Sequence, residues 1–172
     1  KRMKRGYTRE MYMDRVKAIR KYLPGTTIST DIITGFCGET EEEHRETLSL
    51  MEWAAFDFAF MFKYSERPDT LAARKYTDDV EEETKTNRLN EIIALQNKLS
   101  LESKKQDVGK TFTVLTEGTS KKSKEQMFGR TSQNKVVVFP EHHYRPGDYA
   151  EVKVTGCTSA TLLGEVAGEE PA

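Results

Sequence analysis

The stretch SKKQDVGKTFTVLTE, residues 103–117, decides the fold expected for this chain because the hydrophobic pattern changes within it. From about Val80 to Lys105, apolar residues recur at helical spacing. After Gly109, apolar and polar residues alternate, as in Phe112-Thr113-Val114, which is typical of a strand with one buried face. We therefore place a domain boundary at residues 105–109.

The sequence after this boundary predicts a small all-β domain at residues 106–168, with residues 169–172 as a tail. Turn residues separate five short segments of strand character. Because so many short strands follow one another within about sixty residues, we expect them to close into an antiparallel barrel of the OB-like kind. The predicted strands are Lys110–Glu117, Glu125–Arg130, Asn134–Phe139, Tyr149–Thr155 and Ala160–Val166.

The sequence before the boundary alternates helical and strand patterns. Thr8 can cap a first helix, and Thr40 to Glu43 form a capping box at the start of a second. Strands are predicted at residues 27–33 and 56–64, and helix–strand alternation indicates a parallel sheet. Two parallel strands alone do not make a stable sheet. We therefore expect residues 1–105 to be the C-terminal part of a larger α/β domain, whose open strand edge can pair with a second copy.

The composition excludes several classes of protein. The chain has 172 residues, a net charge of −1, 36% hydrophobic and 32% charged residues, which is typical of a soluble protein. No apolar run approaches the ~20 residues of a membrane span, so we expect no membrane partner and a cytoplasmic location. Cys37 and Cys157 lack metal-ligand spacing. His44 is expected on a solvated helix face, with His142 and His143 in a turn, and we predict no metal site.

Several segments resemble one known family. TDIITGFCGETEE at residues 30–42 resembles the fifth-strand segment of the radical-SAM methylthiotransferases, and YSERPDT at 64–70 resembles their next strand and loop. MKRGYT at 3–8 is similar to the segment before the preceding helix, and the final barrel resembles a TRAM domain, an RNA-binding module. The resemblance implies the end of a partial TIM-like radical-SAM barrel followed by TRAM. Cys37 and Asp69 stand where the family usually carries Pro and Gly.

The resemblance also implies a reaction. GRTSQNKVVVF at 129–139 and ALQNKLSLE at 94–102 are similar to the members that methylthiolate C2 of N6-isopentenyladenosine next to the tRNA anticodon. Other members act on threonylcarbamoyladenosine in tRNA or on a ribosomal protein. The family uses S-adenosylmethionine and two [4Fe-4S] clusters. The Cys-x3-Cys-x2-Cys loop is absent from this chain. We therefore expect no catalytic residue here and an inactive isolated chain.

The resemblance places S-adenosylmethionine at a strand end, with Asp31, Ile33, Gly35 and Phe36 as expected contacts. Alternatively, Gly35 only allows the turn, and Asp31 pairs with a structural cation. The phenylalanines at positions 56, 58, 60 and 62 suggest either nucleic-acid stacking or core packing, and packing is favoured.

Basic side chains are the expected contacts with tRNA, the implied partner: Arg67, Lys110, Lys121, Lys122, Arg130 and Lys135. The alternative interpretation is that these side chains are solvated charges or members of surface ion pairs. The rival function from another class is an RNA-binding adaptor without enzyme activity.

Overall fold

The computed structural model describes residues 2–120, 123, 125–140 and 144–167. The chain divides into two compact units, Lys1–Gln96 and Asn97–Ala172. The first contains α1 (Arg9–Tyr22), β1 (Ser29–Thr34), α2 (Glu41–Ala54), β2 (Phe58–Lys63), the short α3 (Leu71–Lys75) and most of α4 (Glu82–Lys105). Within the described part, no helix is long and apolar enough to cross a membrane.

Side-chain caps begin the helices where the sequence predicts them. The Thr8 hydroxyl accepts a hydrogen bond from the Met11 N–H, and Thr40 and Glu43 form the expected reciprocal capping box. The expected parallel pairing is confirmed, with Asp31 opposite Phe60 and Ile33 opposite Phe62. Helix α3, capped by Thr70, is an element that periodicity did not predict because five residues are too few to show it.

The two faces of the β1–β2 sheet differ in burial. Ile32, Thr34 and Ala59 are buried on one face. Phe58, Phe60 and Phe62 lie on the other and are about half exposed, so the expectation that they pack in the core is wrong. Of the four phenylalanines at positions 56, 58, 60 and 62, Phe56 alone is buried, and it precedes the strand. Period-two spacing placed the three strand residues on one face but did not indicate which face the chain covers.

His44 is also placed differently from the expectation. Its side chain is 1% exposed, and its Nε2 lies 2.9 Å from Glu91 Oε2 on α4. The glutamates at positions 41, 42, 43 and 46 occupy the solvated face of α2, and His44 lies on the opposite side of the helix turn. The glutamates around His44 therefore led to a wrong prediction, since they indicated an exposed side chain and His44 is buried.

The second unit contains a closed five-stranded barrel, as expected from the spacing of the turns. Its strands are β3 (Thr111–Thr119), β4 (Gln126–Thr131), β5 (Val136–Pro140), β6 (Tyr149–Cys157) and β7 (Leu162–Val166). The order around the barrel is β3-β4-β5-β7-β6, and β6 closes on β3. The expectation of antiparallel neighbours throughout is wrong, because β5 and β7 pair in parallel.

Alternate residues of the barrel strands form one hydrophobic core. Val114, Val137, Phe139, Val152 and Leu162 are fully buried in it. The residues between them point outward, as strand periodicity requires. Gly129 lies where β4 approaches β3 closely, since a Cβ there would be 2.3 Å from the Leu115 carbonyl oxygen.

Candidate functional site

A cavity of about 920 Å³ lies against the exposed face of the β1–β2 sheet. Asp31 and Ile33 line it from β1, and Phe60 and Phe62 line it from β2. They face the same side because they occupy alternate, paired positions of the two strands. Phe36 and Arg67 also line it. The structure therefore brings together three of the four expected cofactor contacts and one of the expected RNA contacts.

The charge of the cavity lining is mostly positive. Its basic members are Arg2, Lys4, Arg5, Lys63 and Arg67, and its one acidic member is Asp31. Arg2 is paired with Glu43 at 2.9 Å, and Lys63 contacts Glu82. Apolar and aromatic side chains, together with the hydroxyl-bearing Ser65 and Thr70, provide the rest of the wall. This combination suits a ligand that carries both a flat apolar ring and negative charge.

Glu39 fixes the loop at the C-terminal end of β1. Its Oε2 accepts hydrogen bonds from the Gly35 N–H at 2.6 Å, the Thr34 hydroxyl at 3.1 Å and Arg88 Nη1 at 2.9 Å. Arg88 Nη1 also donates to the Glu39 carbonyl oxygen at 3.0 Å. Both side chains of this ion pair are nearly buried. The loop that carries Phe36 is therefore held by a specific buried pair rather than by backbone alone.

Gly35 has a structural reason for being glycine. Its φ is +76°, and a Cβ there would lie 2.4 Å from Lys85 Cγ. The Lys85 side chain is buried, and its Nζ lies 2.6 Å from Asp78 Oδ2. Gly35 is not among the described residues that line the cavity. The packing alternative to a direct cofactor contact is therefore the role that the geometry supports for Gly35.

Aromatic rings hold Phe36 at the cavity wall. Its ring packs edge-to-face on Tyr64 at a centroid distance of 5.0 Å and on Tyr76 at 6.0 Å. Lys85 Nζ lies 5.6 Å from the Tyr64 ring centroid. Burial, together with the neighbouring Cys37 thiol, raises the pKa of the Tyr64 hydroxyl above its usual range. Tyr64 is therefore neutral across the physiological range.

Sequence reasoning missed Glu39, Arg88 and Lys85 as residues that shape this site. Glu39 lies just after the glycine-containing turn, but its partner Arg88 is 49 residues away on α4. No local pattern reports such a pair. The only available signal was that Arg88 occupies the same face of a long helix as Ile92, which is buried.

The expected RNA contacts on the barrel differ in accessibility. The Lys110 side chain is more than half exposed and pairs with Asp107 at 3.1 Å. The Arg130 side chain is also accessible and is held by Glu117. Lys135 is only 10% exposed, and its Nζ lies 2.5 Å from Asp107 Oδ2. Its contact with RNA is therefore not supported, because a phosphate would have to displace a buried partner. Lys121 and Lys122 lie outside the described residues, as do His142 and His143.

The described residues contain no group of three histidine, cysteine or acidic side chains that could hold a metal ion. Cys37 is buried beside the cavity loop, and Cys157 lies at the end of β6 in the other unit. These residues do not fit the ligand set of an iron–sulfur cluster, which requires several thiolates at one point.

Comparison with known proteins gives two findings. The TRAM domain family matches residues 105–167. The chain is 59% identical over 165 residues to the tRNA-2-methylthio-N(6)-dimethylallyladenosine synthase of Phocaeicola vulgatus, and 60% identical over 164 residues to that of Porphyromonas gingivalis. These alignments cover 96% and 95% of this chain but only 36% and 35% of the relatives. The chain thus spans about a third of the length of the curated relatives it matches.

Proposed function

Because the chain belongs to the same family as these tRNA-2-methylthio-N(6)-dimethylallyladenosine synthases, we propose that it is part of an enzyme that methylthiolates isopentenylated (dimethylallyl) adenosine in tRNA. The observation that carries this proposal is the identity of 59% over 96% of the chain. Such identity extends through both units rather than through the TRAM domain alone. The proposal therefore assigns both units to one enzyme.

The barrel is the proposed tRNA-binding unit. It is the part matched by the TRAM family, and it presents Lys110 and Arg130 on its accessible surface. Lys121 and Lys122 are retained as proposed contacts from their position in the sequence. Lys135 is not retained, because its buried pair with Asp107 gives it a structural role.

The cavity of the first unit is proposed to face the interior of a radical-SAM barrel. An interior position would explain why this face of the sheet carries aromatic side chains that are about half exposed. Ile33 and Phe36 offer apolar surface to the adenine of S-adenosylmethionine, and Asp31 offers a carboxylate to its amino group. Arg67 is proposed to meet a phosphate of the tRNA at the same cavity. S-adenosylmethionine supplies the radical and methyl chemistry of this family, and this chain's residues bind and orient it. No iron–sulfur cluster is assigned to the described residues.

Complementation with the full-length protein tests this proposal. The expected result is that it restores 2-methylthio-N6-isopentenyladenosine to the tRNA of a strain lacking that modification, as measured by mass spectrometry of nucleosides. Arg67→Ala should lower the restored level. Arg74→Ala, on the nearby helix α3 and not among the residues lining the cavity, is the matched control and should not.

Three results would contradict the proposal. If the protein instead restores methylthiolated threonylcarbamoyladenosine, its substrate is that tRNA nucleoside. If it modifies a ribosomal protein, that protein is its substrate. Tight tRNA binding without any modification would favour the RNA-binding adaptor.

A further inference from the structure

A row of two apolar side chains and one arginine crosses the outer surface of the barrel. Tyr149, the first residue of β6, is 70% exposed and is paired across the sheet with Leu115 on β3. Leu115 is in turn paired with Arg130 on β4. Directly opposed residues in antiparallel strands project to the same face, so these three side chains form one continuous row. With strands ~4.8 Å apart, the row extends over roughly 10 Å, which is long enough to support one nucleobase.

The guanidinium of Arg130 is held at two of its edges. Its Nε lies 3.0 Å from Glu117 Oε1, and its Nη1 donates to Asn134 Oδ1 at 3.0 Å. The Glu117 carboxylate offsets much of its charge, so Arg130 is a weaker site for phosphate than an unpaired arginine. The two partners leave its flat face available. Arg130 and Tyr149 lie at the two ends of the row with Leu115 between them, and guanidinium planes and aromatic rings are both surfaces on which bases stack.

The inner side of the same strands explains why the row is available. Val114 and Ala150, which flank Leu115 and Tyr149 in the strands, point into the barrel core and are fully buried. Gly129, next to Arg130, allows β4 to approach β3 closely. The core therefore holds the row from beneath, and the Tyr149 ring and the outer part of the Leu115 side chain stay exposed to solvent.

We propose that an unpaired base of the RNA stacks on the row formed by Tyr149, Leu115 and Arg130. This inference rests on the proposed function, since it names the way in which the barrel holds RNA. A protein partner is less suited to the row, because a stable interface buries about 800 Å² on each side and three side chains provide a small fraction of that area. A base requires only one flat apolar surface with a polar margin.

Fluorescence titration of the full-length protein tests the inference. The probes are tRNA and a single-stranded oligonucleotide containing 2-aminopurine, whose emission is quenched on stacking. Tyr149→Ala should weaken binding of both by about 5- to 150-fold, because that is the range for loss of one base–aromatic stack. Tyr149→Phe should bind as the parent does. Tyr22→Ala is the matched control, since Tyr22 is 72% exposed in the other unit.

The salt dependence separates stacking from charge. Removal of a stacking ring should leave the slope of log affinity against log salt unchanged, whereas loss of a phosphate contact reduces it by about one unit. A reduced slope for Tyr149→Ala would overturn the inference. So would an affinity equal to that of Tyr22→Ala.

Self-association of the parent and the same variants is measured by sedimentation in the absence of RNA. A dimer that Tyr149→Ala disrupts, with tRNA affinity unchanged, would assign the row to a second copy of the chain instead. Failure of the parent to bind any tRNA would count against the proposed function itself, and that result is distinguishable from all of these.

Discussion

The two units of the chain bury their apolar residues in opposite ways. In the barrel, all five strands pair on both sides, and the inward residues form one closed core. In the first unit, the two-stranded sheet buries one face and leaves Phe58, Phe60 and Phe62 about half exposed on the other. A closed barrel satisfies both its hydrogen bonds and its apolar face by itself, whereas an open sheet does so only on the covered side. Within the described residues, the exposed aromatic face has no covering layer, and its Phe60 and Phe62 line the cavity.

The largest expected effect is the contrast between two phenylalanines. Phe139→Ala, in the barrel core, should lower the free energy of unfolding by about 3–5 kcal/mol, because it leaves a cavity among fully buried side chains. Phe60→Ala should lower it by only about 1–2 kcal/mol, since Phe60 is 55% exposed and keeps one ring contact, with Phe58 at 4.8 Å. Urea denaturation of the chain, with hydrogen exchange to assign each unit, measures both. Equal losses of unfolding free energy would contradict the difference in burial between the barrel core and the exposed face of the β1–β2 sheet.

The second prediction concerns the ion pair under the cavity loop. Glu39→Ala should destabilise the first unit by about 3 kcal/mol, because it leaves the buried Arg88 guanidinium without its main partner. Glu41→Ala is the matched control: its carboxylate is 3.6 Å from the same arginine but is exposed. We expect that variant to lose less than about 1 kcal/mol. Thermal melting followed by the fluorescence of Trp53, in the same unit, measures the difference. If the Glu39 variant is as stable as the Glu41 variant, the ion pair of Glu39 with Arg88 does not hold this loop.

A third, smaller effect compares two glycines of the barrel sheet. Gly129→Ala should cost about 1–3 kcal/mol, because its Cβ would meet the Leu115 backbone at 2.3 Å and the strands would have to separate. Gly118→Ala should cost less, because the nearest atom is the Phe128 ring at 3.4 Å, which can move. Denaturant midpoints of the two variants give the comparison. The reverse order would contradict the close approach of β3 and β4.

The smallest effect at neutral pH concerns Tyr64. Its pKa is raised in the folded chain, so the stabilisation is fully present below the unfolded pKa of 10.0 and is lost as the pH rises through the folded pKa. Tyr64→Phe should therefore flatten the alkaline fall in stability of the first unit and leave the pH 5–8 range unchanged. Melting temperatures from pH 7 to 11 measure this, with Tyr22→Phe as an exposed control. Parallel alkaline curves for both variants would exclude Tyr64 as the source.

Periodicity and turn residues were sufficient to predict most of the fold. The caps at Thr8 and Thr40, the parallel β1–β2 pair and the five-stranded closed barrel follow from local patterns, and all are confirmed. The parallel β5–β7 pairing could not be predicted, because local sequence does not specify which strands become neighbours.

The candidate site was predicted only in part. Ile33 and Phe36 lie at and just after the C-terminal end of β1, and Asp31 lies two residues before Ile33 on the same face of the strand. Sequence reasoning can locate such positions. The ion pair of Glu39 with Arg88 and the row ending at Tyr149 depend on residues that are distant in sequence. The burial of Lys135 could not be predicted for the same reason, since its partner Asp107 lies 28 residues earlier.

The strand order of the barrel also has a kinetic consequence. β7, the last strand in sequence, lies between β5 and β6, so neither of those strands has its second neighbour until residues 162–166 are in place. During synthesis, β3 to β6 can form hairpin-like pairs, but the cylinder stays open until the final strand is inserted. Contacts of long sequence separation slow folding, so insertion of β7 should be the late step in barrel formation. Until it occurs, the unpaired edges of β5 and β6 are the part of the newly made chain most exposed to mispairing.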